Sequence, residues 1–266
     1  MPTSMLVSAE TASPFRLFFF TLGLSFLSWS TVVGQVMHLG PKVAYQSVWL
    51  LNQNNYGLSE MDYKLTSGPA YGGSIGVDYG DNWGVQLEFQ FAHMGQNYED
   101  NIGLQLIYGF NDVFVVRKEV DLIYGQVPLL VRYRNGGEKA KFLGVFGPQV
   151  GIRGEATLRY FLDGDSAPFA EIPGGIYDEL TGPEDFFQTL DFGLAGGAGA
   201  EFYLGSSFYF RLLGRFYVGL TDINTEPTRG APEYAGTRNA SFGLEAGFGV
   251  RFGDANPQTW TRRPGR

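Results

Sequence analysis

The sequence predicts an all-β fold, an eight-stranded antiparallel up-and-down barrel that crosses a membrane. Three observations carry this expectation. Eight stretches alternate apolar with polar or tiny residues, the period of two that marks a strand. The connections between them alternate long with short. Every stretch carries an apolar face, yet no amphipathic helix is available to cover it, so lipid is the expected cover.

The chain opens with an expected export signal, residues 1–34. Arg16 precedes the apolar run 17–29, and Val32-Val33-Gly34 offers the small residues a signal peptidase reads, with Gln35 as the first mature residue. A retained anchor is the lesser alternative, because the run is short for a span of about 20 residues and is broken by Gly23 and several serines. The absence of cysteine excludes lipid attachment at a lipobox and a disulfide framework.

The barrel is expected over residues 35–252. Its first strand, 39–50, sets Val43, Tyr45 and Trp49 against Lys42, Ala44 and Gln46, with Ser47 interrupting the apolar face. A polar stretch leads to the second strand, where Tyr71, Ile75, Val77 and Tyr79 oppose Gly72, Ser74, Gly76 and Asp78. Gly80-Asp81-Asn82 has the residue types a tight hairpin demands. The third strand, 83–92, is the cleanest: Trp83, Val85, Leu87, Phe89 and Phe91 share one face, and Gly84, Gln86, Glu88, Gln90 and Ala92 the other. It gives out near Gly95. The fourth, 120–133, alternates Val127, Leu129, Val131 and Tyr133 with Gln126, Pro128, Leu130 and Arg132; Pro128 cannot donate to the ladder, so a bulge is expected there. After the turn at 134–137 comes the fifth strand, 141–153, whose glycines and Pro148 leave its faces unassigned.

The longest connection, 155–188, is acidic and rich in aromatic residues. The sixth strand then sets Phe192, Leu194, Ala198, Ala200 and Phe202 against Asp191, Gly193, Gly197, Gly199 and Glu201. Gly205-Ser206-Ser207 turns into the seventh, where Phe208, Phe210, Leu212, Phe216 and Val218 oppose Tyr209, Arg211, Leu213, Arg215 and Tyr217. The loop 221–239 precedes the eighth, with Phe242, Leu244, Ala246, Phe248, Val250 and Phe252 against Ser241, Gly243, Glu245, Gly247, Gly249 and Arg251. A ten-stranded barrel, taking a further hairpin from 155–188, is the alternative. Four long connections project from one side and three tight turns from the other, the asymmetry of outer-membrane barrels. Tyr79, Trp83, Tyr133, Phe202, Phe208 and Phe252 would form one aromatic girdle, and Tyr45, Trp49, Tyr71, Phe91, Phe192 and Phe242 the other.

Composition agrees. The 266 residues include 38 glycines and 16% aromatic residues, and the formal charge is −8. Mean hydropathy is only −0.08, as expected where alternate residues alone face lipid. The acid excess argues against nucleic acid, which needs clustered Lys and Arg.

The segments 124–133 (YGQVPLLVRY) and 142–151 (FLGVFGPQVG) resemble a hairpin of the Bacteroidetes outer-membrane β-barrel family labelled PorT-like or porin family, and the sixth to eighth strands fit the same pattern. The resemblance covers about 39–252. It implies an outer-membrane location and a small barrel, but no single biochemical activity. Such barrels commonly end on an aromatic residue, whereas here Phe252 is followed by a tail, 253–266, expected in the periplasm.

The most specific polar feature is a set of charges on inward parity: Glu88, Arg132, Glu201, Arg211, Arg215, Glu245 and Arg251. An eight-stranded barrel has an interior just wide enough for side chains to fill it, and buried charges must pair, so a structural ion-pair network is expected rather than a conducting path. The only histidines, His38 and His93, have no recognisable Ser partner and are expected at the interface, so no enzyme is anticipated. No cofactor or metal site is expected either, since Asp163-Gly164-Asp165 does not match a calcium loop. The aromatic-rich connection 155–188 is expected to fold over the barrel mouth or to extend the fifth and sixth strands. Function is then expected to be structural or interactive, through the long loops with an envelope or secretion partner. A narrow porin-like channel is the alternative.

Overall fold

The computed structural model describes residues 35–51, 62–103, 113–162, 186–225 and 236–253. The expected export signal, the tail after Gly253 and the stretch 163–185 of the acidic connection lie outside the described residues. The strands are β1 (Gln35–Leu51), β2 (Asp62–Lys64), β3 (Thr66–Tyr79), β4 (Trp83–Gly103), β5 (Val113–Gly136), β6 (Ala140–Leu162), β7 (Leu190–Leu204), β8 (Phe208–Gly219) and β9 (Arg238–Phe252). All pairings are antiparallel, in the order β4-β3-β1-β9-β8-β7-β6-β5, and β4 pairs back onto β5. Eight strands therefore close a barrel. The short β2 is a ninth piece that pairs only with β4, at Asp62↔Glu99 to Lys64↔Asn97. β6 pairs directly with β7 from Ala140↔Phe202 to Ile152↔Leu190, so the ring is complete without the two further strands of the alternative.

Alternation decides which side chains face where. Along β8, Phe208, Phe210, Leu212, Phe216 and Val218 are exposed, while Tyr209, Arg211, Leu213, Arg215 and Tyr217 are buried. Charge inside and aromatics outside inverts the rule of a water-soluble protein, and a surrounding of hydrocarbon accounts for it. The same logic resolves β6: Leu143, Val145 and Gln149 are buried, Phe142, Phe146 and Ile152 exposed. Cross-strand aromatic pairs mark the two girdles, with Trp83 and Tyr133 ring centroids 4.9 Å apart on the tight-turn side and Tyr71 and Phe91 5.9 Å apart on the other.

Two expectations are corrected. Pro128 causes no register shift: Val127↔Val150, Pro128↔Gln149 and Val131↔Phe146 keep one register, and the shift lies between Ile123 and Tyr124, where Gly154 is the extra residue. Moreover, of the strands flanking the acidic connection only one is extended. β6 runs on to Leu162 against β5, whereas β7 starts at Leu190.

A membrane-crossing strand needs about 9–11 residues, and β8 has 12 residues, but β4, β5 and β6 have 21, 24 and 23. The excess stands on the long-connection side as a three-stranded wall, Met94↔Leu122 and Leu122↔Ala156 being among its pairs. Its inner face buries Met94, Tyr98, Val120, Leu122, Ala156 and Leu158. Phe186, Phe187 and Ile223 from the connecting segments pack onto that face. These segments are pinned together by Gln188 N donating to Ile223 O at 2.6 Å and Ile223 N to Thr237 O at 2.9 Å. The result is an apolar plug across the barrel mouth, formed partly by the aromatic-rich connection.

Candidate functional site

Two clusters of charge fill the lumen below this plug. The central one joins β1, β4, β8 and β9. Lys42 Nζ reaches Glu88 and, at 3.0 Å, Glu245. Arg215 gives Nη2 to Glu88 at 2.9 Å and Nε to Glu245 at 3.3 Å. Arg211 Nη2 lies 3.1 Å from Glu245, and its Nη1 donates to Gln86 Oε1 at 3.0 Å. Glu88 is fully buried and Glu245 nearly so. Register explains how such large groups fit. Gly247 stands opposite both Lys42 and Arg211, and a Cβ there would lie 2.7 Å from Arg211 Nε. Gly197 likewise leaves room for Arg215, whose Cδ would be 2.8 Å from a Cβ. Gly197 on β7 and Gly247 on β9 thus make space for the two guanidinium groups.

The second cluster lies toward the tight turns. Arg132 pairs with Glu201, and Arg134 Nη1 with Asp78 Oδ2 at 3.0 Å. Tyr203 donates to Glu201 at 3.0 Å and accepts from Arg134 at 3.3 Å. Arg251 stands over the Tyr203 ring, 4.7 Å from its centroid. His38 is inside the lumen and 1% exposed, beside Arg132 and 3.7 Å from Asp78. This corrects its expected interfacial position. It shares inward parity with Val36, Gly40 and Lys42, and Gly76 opposite leaves room for its ring. His93 does lie on the outer face, 3.5 Å from Asp121.

The structure therefore brings Glu88, Arg211, Arg215 and Glu245 together, pairs Arg132 with Glu201 separately, and leaves Arg251 stacked on Tyr203. Sequence reasoning missed Lys42, Asp78, Arg134 and His38. All four lie on the inward parity of their strands: Lys42 and Asp78 stood on that face within the alternation but were not counted with its charges, and following parity one residue further would have found His38 and Arg134. Among the described residues, no group of three or more His, Asp or Glu side chains could hold a metal ion. Between the central cluster and the plug lies a cavity of about 20 Å³, bordered by Gln46, Gln126, Gln149, Arg215 and Glu245.

Closed antiparallel strands, apolar outward and charged inward, define an integral membrane β-barrel. Residues 34–225 match the family described as outer membrane protein β-barrel domain, and the chain belongs to that family, which locates it in an outer membrane. β9, which completes the ring, lies beyond the matched segment. No curated protein matches the chain. Among solved structures, similar ones include Ail, the attachment invasion locus protein of Yersinia pestis, at 14% identity over 83% of this chain and 100% of that one, TM-score 0.35. Another is the outer membrane protein OprG from Pseudomonas aeruginosa, at 15% identity over 84% of this chain and 97% of that one, TM-score 0.36. A third is Neisserial surface protein A, at 13% identity over 81% and 97%, TM-score 0.38.

Proposed function

We propose that this barrel is a non-enzymatic structural and interaction protein, exported by a cleaved signal, whose long-connection side faces outward and engages an envelope protein, a secretion component or an external ligand. Its further likeness to the Bacteroidetes PorT-like or porin-family barrels belongs to the same reading. The observation that carries it is the double closure of the lumen, by the ion-pair network at mid-barrel and by the apolar plug at the mouth. A path for solute would have to break buried ion pairs, which is costly. Meanwhile the β4–β6 wall is far longer than crossing requires, and excess ordered surface on a rigid scaffold is where recognition is usually placed. A narrow channel is the second reading, favoured by the polar cavity between the two closures.

The test has two arms. Shortening 168–183 is expected to spare assembly, read by the unboiled-versus-boiled mobility shift in detergent, and to abolish co-purification of a partner from native membranes. In a planar bilayer the wild-type barrel is expected to show no steady conductance. Steady single-channel steps whose ion selectivity changes in Arg215→Ala, without loss of stability, would replace this reading by the channel.

A further inference from the structure

The cavity above the central cluster has an unbalanced wall. Two fully buried nitrogen donors there have no hydrogen-bond partner: Gln149 Nε2 and Arg215 Nη1. Gln149 is 2% exposed and Arg215 8%. Arg215 directs Nη2 and Nε to Glu88 and Glu245 at 2.9 and 3.3 Å, which leaves Nη1 for the cavity. Gln46, on the same wall, gives its amide only to the thioether of Met94, at 3.6 Å.

Charge points the same way. Lys42, Arg211 and Arg215 surround Glu88 and Glu245, so the cluster carries one positive charge more than its carboxylates balance. In a lumen shielded from water, such an excess attracts a counter-ion strongly. Glu245 also borders the cavity, but its Oε2 is held by Lys42 at 3.0 Å and its Oε1 lies 3.1 Å from Arg211. Asp191 accepts from Asn239 at 2.8 Å and Thr221 at 3.0 Å. Glu245 Oε1 thus has a guanidinium beside it but no hydrogen bond, and Asp191, which does not border the cavity, has neutral donors only.

We propose that this cavity binds a small monovalent anion of halide size, held by Arg215 Nη1 and the Gln149 amide. A water molecule would satisfy both donors but leave the extra charge uncompensated; a halide does both. The volume of about 20 Å³ is little more than the space for a single water, so phosphate and sulfate are too large. The site goes beyond the proposed function, because holding an ion inside a closed lumen requires neither conduction nor a partner.

The full chain, refolded in detergent micelles, is to be heated in sodium chloride, bromide and gluconate at equal ionic strength, with loss of the mobility shift as readout. Chloride and bromide are expected to raise the unfolding temperature above that in gluconate, with the saturation of a ligand that binds only the folded state. Chloride NMR lines are expected to broaden on addition of the folded barrel. Gln149→Leu is expected to keep the mobility shift and weaken chloride binding about tenfold, the loss of one hydrogen bond from a charged ligand. Identical unfolding in chloride and gluconate with no line broadening means that the cavity holds water only, and overturns the proposal. An undiminished chloride response in folded Gln149→Leu overturns it equally. The wild-type salt comparison stands even if the variant misfolds.

Discussion

Arg211 and Glu201 are directly opposite each other on β8 and β7, yet Arg211 turns to Glu245 and Glu201 to Arg132. Inside a barrel this narrow every wall is within reach of a long side chain, so opposition on neighbouring strands does not choose the partner. The inward parity of Glu88, Arg132, Glu201, Arg211, Arg215 and Glu245 was legible from a period of two. Their grouping was not, because it depends on ring closure and on which opposite residues are glycine. Arg211→Ala removes one of three cations around Glu245 and leaves Lys42 and Arg215 on it, so the loss is expected to stay below the about 3–5 kcal/mol of a buried pair broken outright; urea unfolding in detergent checks this, and Glu245→Gln in the same chain is expected to deepen the loss. Lys118 gives a second prediction. It lies on the inner face of the wall, well beyond the girdle on the long-connection side, with Nζ 5.8 Å from the Tyr98 ring centroid. Burial pushes its amine down to about 7. A lysine lowered in the folded state binds fewer protons there than when unfolded, so stability is lost as pH falls through about 7 and gained as pH rises toward the ordinary lysine value near about 10.4. Protease resistance of the wall is expected to increase over that window, and Lys118→Met to flatten the increase.

The wall itself shows why some elements escape a reading by alternation. Within 155–162, Ala156 and Leu158 face inward while Glu155, Thr157 and Arg159 face out. That is a period of two, but beyond the lipid its outer face carries Glu155, Thr157 and Arg159, and Phe161 on the same parity is buried under Arg117 instead of exposed. The absence of lipid therefore erased the signal that identified the other strands. β4 was cut short for a related reason: at Gly95, φ is +131° and a Cβ would sit 2.0 Å from Val120 O, so the strand bends at the residue that reads as its end. Only glycine tolerates that backbone without strain. Gly95→Ala is expected to cost about 1–3 kcal/mol locally. It should admit protease to the wall while leaving the mobility shift of the barrel unchanged; loss of the shift would mean that wall and barrel unfold as one unit.

At the scale of the whole molecule, the eight-stranded ring and its orientation pattern were legible from connection lengths and glycine-bearing turns, since both follow from local chemistry. The plug was legible in part: the aromatic-rich connection carrying Phe186 and Phe187 was expected over the mouth, whereas Ile223, from the next long connection, meets the wall only once the ring has formed. The intact protein is expected to give a β-type circular dichroism spectrum and a heat-dependent change in mobility, and substantial helical signal would refute the fold. The pairing of β1 with β9, from Met37↔Phe252 to Leu51↔Arg238, has a consequence for biogenesis. The ring's seam joins its earliest strand to its latest. Until β9 has emerged, β1 and β8 each present a row of backbone N–H and C=O groups with no neighbour, and each such group left unsatisfied in hydrocarbon costs several kcal/mol. Entry into the bilayer is therefore a last-strand event. A nascent chain must either wait outside the lipid until residue 252 is available, or have its bare edges matched for a time by strands lent from another protein.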